Sequence, residues 1–107
     1  MKIWDSYLRD FETYLKLEKG LSQNSVLAYM DDVSKLVTYL ETTHPTKTPL
    51  TVNSKDITGF VHWIHDLGFV ENSQARILSG LKNFFKHLSL EELITENPLQ
   101  FTDSPKL

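Results

Sequence analysis

Between Glu71 and Glu91 this acidic chain carries no Asp or Glu. Within that gap the segment Ser73–Leu88, SQARILSGLKNFFKHL, repeats with helical period. At about 100° per residue, Ile77, Leu78, Leu81, Phe84, Phe85 and Leu88 fall on one side. Arg76, Ser79, Lys82, Asn83, Lys86 and His87 fall on the other. A segment patterned this way must be a helix that buries its aromatic side against other elements. Gly80 and Ser79 are placed on the polar side, where small residues let a partner approach the backbone. A basic, hydroxyl-bearing face opposite an aromatic one suits a helix that packs inward and touches phosphates outward. The competing reading is a solvated face on a core helix.

The remaining segments share the same period, and none alternates as a strand does. Ile3–Glu18 reads as a first helix with Trp4, Leu8, Phe11 and Leu15 in one stripe, and Gly20 as its left-handed stop. Ser22 is placed to cap a second helix, with Leu21 stapled onto Val26. Val26, Tyr29, Met30, Val33, Leu36, Val37 and Leu40 form its inward face. Asn24 and Ser25 occupy its first turn, where free N–H groups favour an anion; ordinary capping explains the same residues. Asp31 and Asp32 follow and would repel a phosphate. Residues 42–52 read as a loop pinned by Leu50 and Val52. Asn53 or Ser54 caps a third helix, with Ile57, Phe60, Val61, Ile64 and Leu67 as its stripe and Gly68 as its end. Asn72 or Ser73 caps the basic helix. Asn97-Pro98 opens a short C-terminal helix through Leu99 and Phe101. The fold class is therefore all-α, with four main helices plus that short one.

Composition narrows the chemistry. A chain of 107 residues with two Trp, six Phe and four Tyr can close a single core. Its net charge of −3 opposes indiscriminate nucleic-acid binding but permits a local basic face. Without cysteine it has no disulfide, zinc–thiolate site or Cys nucleophile, which fits a cytoplasmic location. No membrane segment or signal peptide is expected. His62, His65 and Asp66 supply no third and fourth ligand at metal-binding spacing, so no metal is expected. Nor is there a nucleophile elbow or a Gly-rich phosphate loop, and no cofactor is implied.

Three groups of residues then carry a resemblance. They are Leu17–Ser22 with Asn24, Ser25, Tyr29, Asp32 and Val33; Ser73, Ala75, Arg76, Leu78, Ser79, Leu81, Lys82, Phe84 and Phe85; and Asn97, Pro98 with Ser104, Pro105 and Lys106. In this order the chain resembles the N-terminal core-binding domain of tyrosine recombinases, Xer-like and phage-integrase-like. The resemblance implies a compact orthogonal bundle of SAM-like type, four main helices plus the short C-terminal one, forming one half of a clamp on double-stranded DNA, with the second and fourth helices facing the major groove of a recombination half-site. Residues 1–102 would be that domain and 103–107 the start of a linker. The strand-exchange chemistry would belong to a following catalytic domain, so this chain is expected to be no enzyme by itself. Tyr29 matches a core position and not the nucleophile. Ser22, Asn24 and Ser25 match the family's second-helix turn, and Ser73, Arg76, Ser79 and Lys82 match its fourth helix. Lys19 can reach a phosphate, and Asn83 and Lys86 join from the helical wheel. Met30-Asp31 departs from the family, whose members often carry Arg or Lys directly after the tyrosine. Expected partners are DNA and other recombinase protomers, with the isolated domain monomeric. The alternative from a different class is a helical protein-interaction module without DNA binding.

Overall fold

The structure, a computed structural model, describes residues 1–99. Four helices follow in order: α1 (Lys2–Thr13), α2 (Gln23–Thr43), α3 (Ser54–Asp66) and α4 (Glu71–Leu90). A π-helical turn, Tyr14–Glu18, extends α1. Among the described residues there is no strand. The architecture is the all-helical bundle that the periodicity predicts.

Local chemistry sets the boundaries. Gly20, at φ 62°, takes the left-handed turn that frees the chain from α1. Ser22 then caps α2, its Oγ accepting from the Ser25 N–H at 3.2 Å. Asn53 and Asp56 form a reciprocal capping box at α3: Asn53 Oδ1 accepts from the Asp56 N–H at 3.0 Å, and Asp56 Oδ2 from the Asn53 N–H at 2.9 Å. Lys47 Nζ sits 3.0 Å from that same Asp56 oxygen, and Lys47 O accepts from Trp4 Nε1 at 3.1 Å. The inter-helix loop is thereby fastened to both α1 and α3.

The core is built on the aromatic side of α4. Phe84 stacks on Trp4 at 6.0 Å, meets Phe11 edge-on at 5.2 Å and leans on Phe85 at 5.1 Å. His87 joins this layer, buried between Phe11 and Tyr14. A second layer places Tyr39 of α2 against Phe60 and Trp63 of α3. Gly59 makes room for it, since a Cβ there would lie 3.3 Å from Tyr39 Cζ. The closest helix pair is α2 with α4, where Gly80 lies directly against Asp32: a Cβ on residue 80 would fall 2.7 Å from the Asp32 Cγ.

Several expectations are corrected. Gly80 is buried in the α2–α4 contact, so its small size serves a neighbouring helix and not an outside partner. His87 is also buried, because Phe11 of α1 and Tyr14 of the π-helical turn pack over its ring. The basic helix begins earlier than Asn72 or Ser73: Val70 is its N-cap, with no side-chain cap bond. Leu67 and Leu50 are exposed; Phe69 takes the core-facing place after Gly68, and Val52 is the residue that closes the loop. Tyr29, by contrast, packs against the core as expected, though it is only half-buried. Residues 97–99 form a turn, with Asn97 Oδ1 accepting from the Leu99 N–H at 2.9 Å, and the rest of the expected C-terminal helix, including Phe101, lies outside the described residues.

The Gly80 contact makes a specific prediction. Gly80→Ala gains about 1 kcal/mol of helix propensity but overpacks against Asp32, at a cost of about 1–3 kcal/mol. Thermal melts should therefore show a lower Tm for Gly80→Ala than for wild type. A raised Tm would mean that α2 and α4 are not in this close contact.

Candidate nucleic-acid interface

The residues singled out from sequence fall on the first turn of α2, the turn before it, and the outer side of α4. Lys19 and Ser22 are exposed beside the Gly20 turn, and Asn24 is exposed in the first turn of α2. Ser22 and Ser25 are partly engaged with each other: beyond the capping bond, their hydroxyls lie 3.1 Å apart. The first N–H groups of a helix carry partial positive charge, so this turn can still face an anion.

On α4, Ser79 and Lys86 are exposed, while Lys82 and Asn83 are partly covered. Asn83 Nδ2 donates to Ser79 O at 3.1 Å, which leaves its side-chain oxygen available as an acceptor. Neither Lys82 nor Lys86, nor Lys19, makes an ion pair among the described residues. Ser73 is half-buried, lining a shallow groove between α2 and α4 with Ala28, Asp31, Lys35, Asn72 and Arg76. The structure thus gathers Ser73, Arg76, Ser79, Lys82, Asn83 and Lys86 on α4, and Ser22, Asn24 and Ser25 on the helix packed against it.

Arg76 differs from the lysines in being held. Its guanidinium pairs with Asp32 Oδ1 and stands 6.0 Å over the Tyr29 ring. Its side chain is 50 % exposed, whereas that of Asp32 is 1 % exposed. Asp32 Oδ2 faces Gly80 and has no hydrogen-bond partner among the described residues. Asp31, by contrast, lies at the surface and is paired with Lys35. Both aspartates expected to repel a phosphate are therefore matched with a cation.

The sequence assigned Asp32 a repulsive charge and a place in the resemblance but did not reveal its partnership with Arg76. The available signals were an acidic residue beside Val33 in the apolar stripe, and a lone glycine inside a strongly periodic helix, which usually has a packing reason.

Residues 8–92 match the phage integrase N-terminal SAM-like domain family. The chain belongs to this family. Among curated relatives, this SAM-like domain is 33 % identical over 97 residues to the tyrosine recombinase XerD of Listeria innocua, covering 91 % of the chain and 33 % of that relative. It is 32 % identical over 104 residues to XerD of Chlorobaculum tepidum, covering 97 % of the chain and 34 % of the relative. It is 30 % identical over 100 residues to XerC of Herpetosiphon aurantiacus, covering 94 % and 32 %. The domain spans about a third of the length of these relatives. No solved structure gives a significant match. Among the described residues, no helix is long and apolar enough to cross a membrane.

Burial is the foremost influence on Asp32, pushing its pKa from 3.8 up to about 6, while Arg76 and Lys35 pull it down and Asp31 pushes it further up. Between those two values the folded domain binds more protons than the unfolded chain. The favourable contribution of Asp32 is thus complete below about pH 3.8 and lost as pH rises through about 6. Asp32→Asn removes this term, and Arg76, half in solvent, can rehydrate. In urea unfolding, Asp32→Asn should gain about 2–3 kcal/mol relative to wild type between pH 4 and pH 7. A difference that stays constant over that range would show that the carboxyl is not perturbed.

Proposed function

We propose that this domain is the DNA-binding N-terminal part of a site-specific tyrosine recombinase, and that α2 and α4 hold it on a recombination half-site. The observation that carries the reading is the outer side of α4 beyond its first turn, which carries no acidic residue. In a chain of net charge −3, Lys82 and Lys86 stand exposed or partly exposed without an ion pair among the described residues. An ordinary solvated face in such a chain would interleave both signs. Membership in the integrase SAM-like family and similarity to proteins named tyrosine recombinases support the same reading.

In mechanism, the domain's task is electrostatic and positional. Lys82, Lys86 and Lys19 would neutralise phosphates and release counterions. Ser22, Asn24, Ser25, Ser73, Ser79 and Asn83 would add neutral hydrogen bonds, together with the positive end of α2, fixing register without demanding a base. Arg76 is suited to a guanine edge or a phosphate, because its fork keeps donors beyond the one Asp32 takes. Strand cleavage and rejoining would be carried by residues outside these 107, and assembly would bring further protomers to the DNA. The exposed Leu67 and Val70 beside the α3–α4 turn favour a second, compatible role in contacts between proteins.

Fluorescence anisotropy with a labelled duplex at low salt, repeated with added salt, tests the reading. Wild type should bind with a log–log salt slope of about −2 to −4. The Lys82→Glu, Lys86→Glu double variant should lose at least about tenfold in affinity and flatten that slope by about 2. Equal, weak and salt-insensitive binding by both proteins would remove α4 as a DNA surface and favour the protein-interaction role.

A further inference from the structure

The Asp32–Arg76 pair is asymmetric in a way that bears on DNA binding. One partner is almost fully buried and the other is half in solvent at the rim of the α2–α4 groove. Only one carboxylate oxygen is engaged; the other is pressed against Gly80 with no polar partner among the described residues. The charged groups around this carboxylate are few. From α2 there are Asp31 and Lys35, which pair with each other, and from α4 there is Arg76. Asn72 and Ser73 complete the groove wall without charge, Phe69 closes it at the α3–α4 turn, and Tyr29 presents its ring to the guanidinium. Among the described residues, Arg76 is therefore the one cation directly bonded to Asp32.

We propose that Asp32 is a positioning residue that restrains Arg76 in the free domain and takes up a proton from solvent when DNA engages Arg76. The proposal rests on reading the α2–α4 face as the DNA surface and adds the regulation of its arginine. A phosphate placed at the groove competes for the guanidinium and adds negative charge above the carboxylate. Both effects disfavour the ionised form of Asp32. A buried carboxylate deprived of its cation becomes neutral more readily than it remains charged. Protonation leaves Arg76 with its full charge for the phosphate, so acidification strengthens binding through this one contact. Burial already holds the Asp32 pKa at about 6, so the proton is available near neutral pH.

Two measurements test this. In the first, duplex affinity of wild type and Asp32→Asn is followed between pH 5.5 and 8 by anisotropy at constant ionic strength. The two proteins differ only at residue 32, so the difference between their profiles is the readout. If DNA raises the Asp32 pKa by one unit, wild type should tighten about threefold more than Asp32→Asn from pH 7 to pH 6. Asp32→Asn should also be the tighter binder at pH 7.5. Identical pH profiles with intact salt-dependent binding would overturn the role of Asp32 while leaving the DNA face in place. Salt-insensitive, negligible binding by both proteins at every pH would overturn both. The second measurement is independent of any variant's folding: the Asp32 carboxyl carbon is titrated by NMR in wild type, free and with duplex. Its midpoint should move upward on DNA binding, and an unmoved midpoint with DNA bound would overturn the proposal.

Discussion

The close approach of α2 and α4 at Gly80 is the contact on which the rest of this domain depends. Without a side chain at residue 80, the two helices approach until the Asp32 carboxylate lies against the α4 backbone. That approach buries Asp32, and burial obliges the carboxylate to find a cation. Arg76, one turn back along α4, supplies it. On the opposite side of α4, Phe84 packs on Trp4 and Phe11 of α1, with Phe85 edge-on beside it. Packing and electrostatics thus meet on the two sides of α4.

The charge pattern follows from this arrangement. Along α2, Asp31 and Asp32 are each matched, one by Lys35 and one by Arg76. The more C-terminal part of the α4 outer face keeps Lys82 and Lys86 without such partners among the described residues. An acidic protein can in this way present a basic strip whose field is local. For the proposed attachment to DNA, that combination would give attraction at the strip and repulsion elsewhere. In a SAM-like domain of the integrase family, the strip is where the fold and the electrostatics agree.

Much of this was legible in the sequence because helical period and capping are local signals. The stripe containing Trp4, Phe11 and Leu15, the Gly20 stop, the Ser22 cap and the alternative of Asn53 as a cap all depend on neighbours within a turn or two. The exposed lysines of α4 were legible for the same reason. What stayed hidden depends on the angle and depth at which helices meet. A wheel places Gly80 and His87 on the polar side, yet α2 covers one and α1 with its π-helical turn covers the other. The wheel likewise places Asp32 at the boundary of a stripe and cannot say that Arg76, 44 positions away, bonds to it. Leu67 continued the α3 period past the point where Gly68 turns the chain, so periodicity assigned to the core a residue that tertiary structure leaves outside.

The central claim is that the surface shared by the first turn of α2 and the outer side of α4 meets DNA. It is tested most directly by mapping backbone amide shifts of the isotopically labelled domain as duplex is added. The account predicts the largest shifts at Ser22–Ser25 and along Arg76–Lys86, with little change at the exposed residues of α3 such as Lys55 and His62. Shifts concentrated on α3 or around Leu67 and Val70, with α4 unaffected, would contradict it.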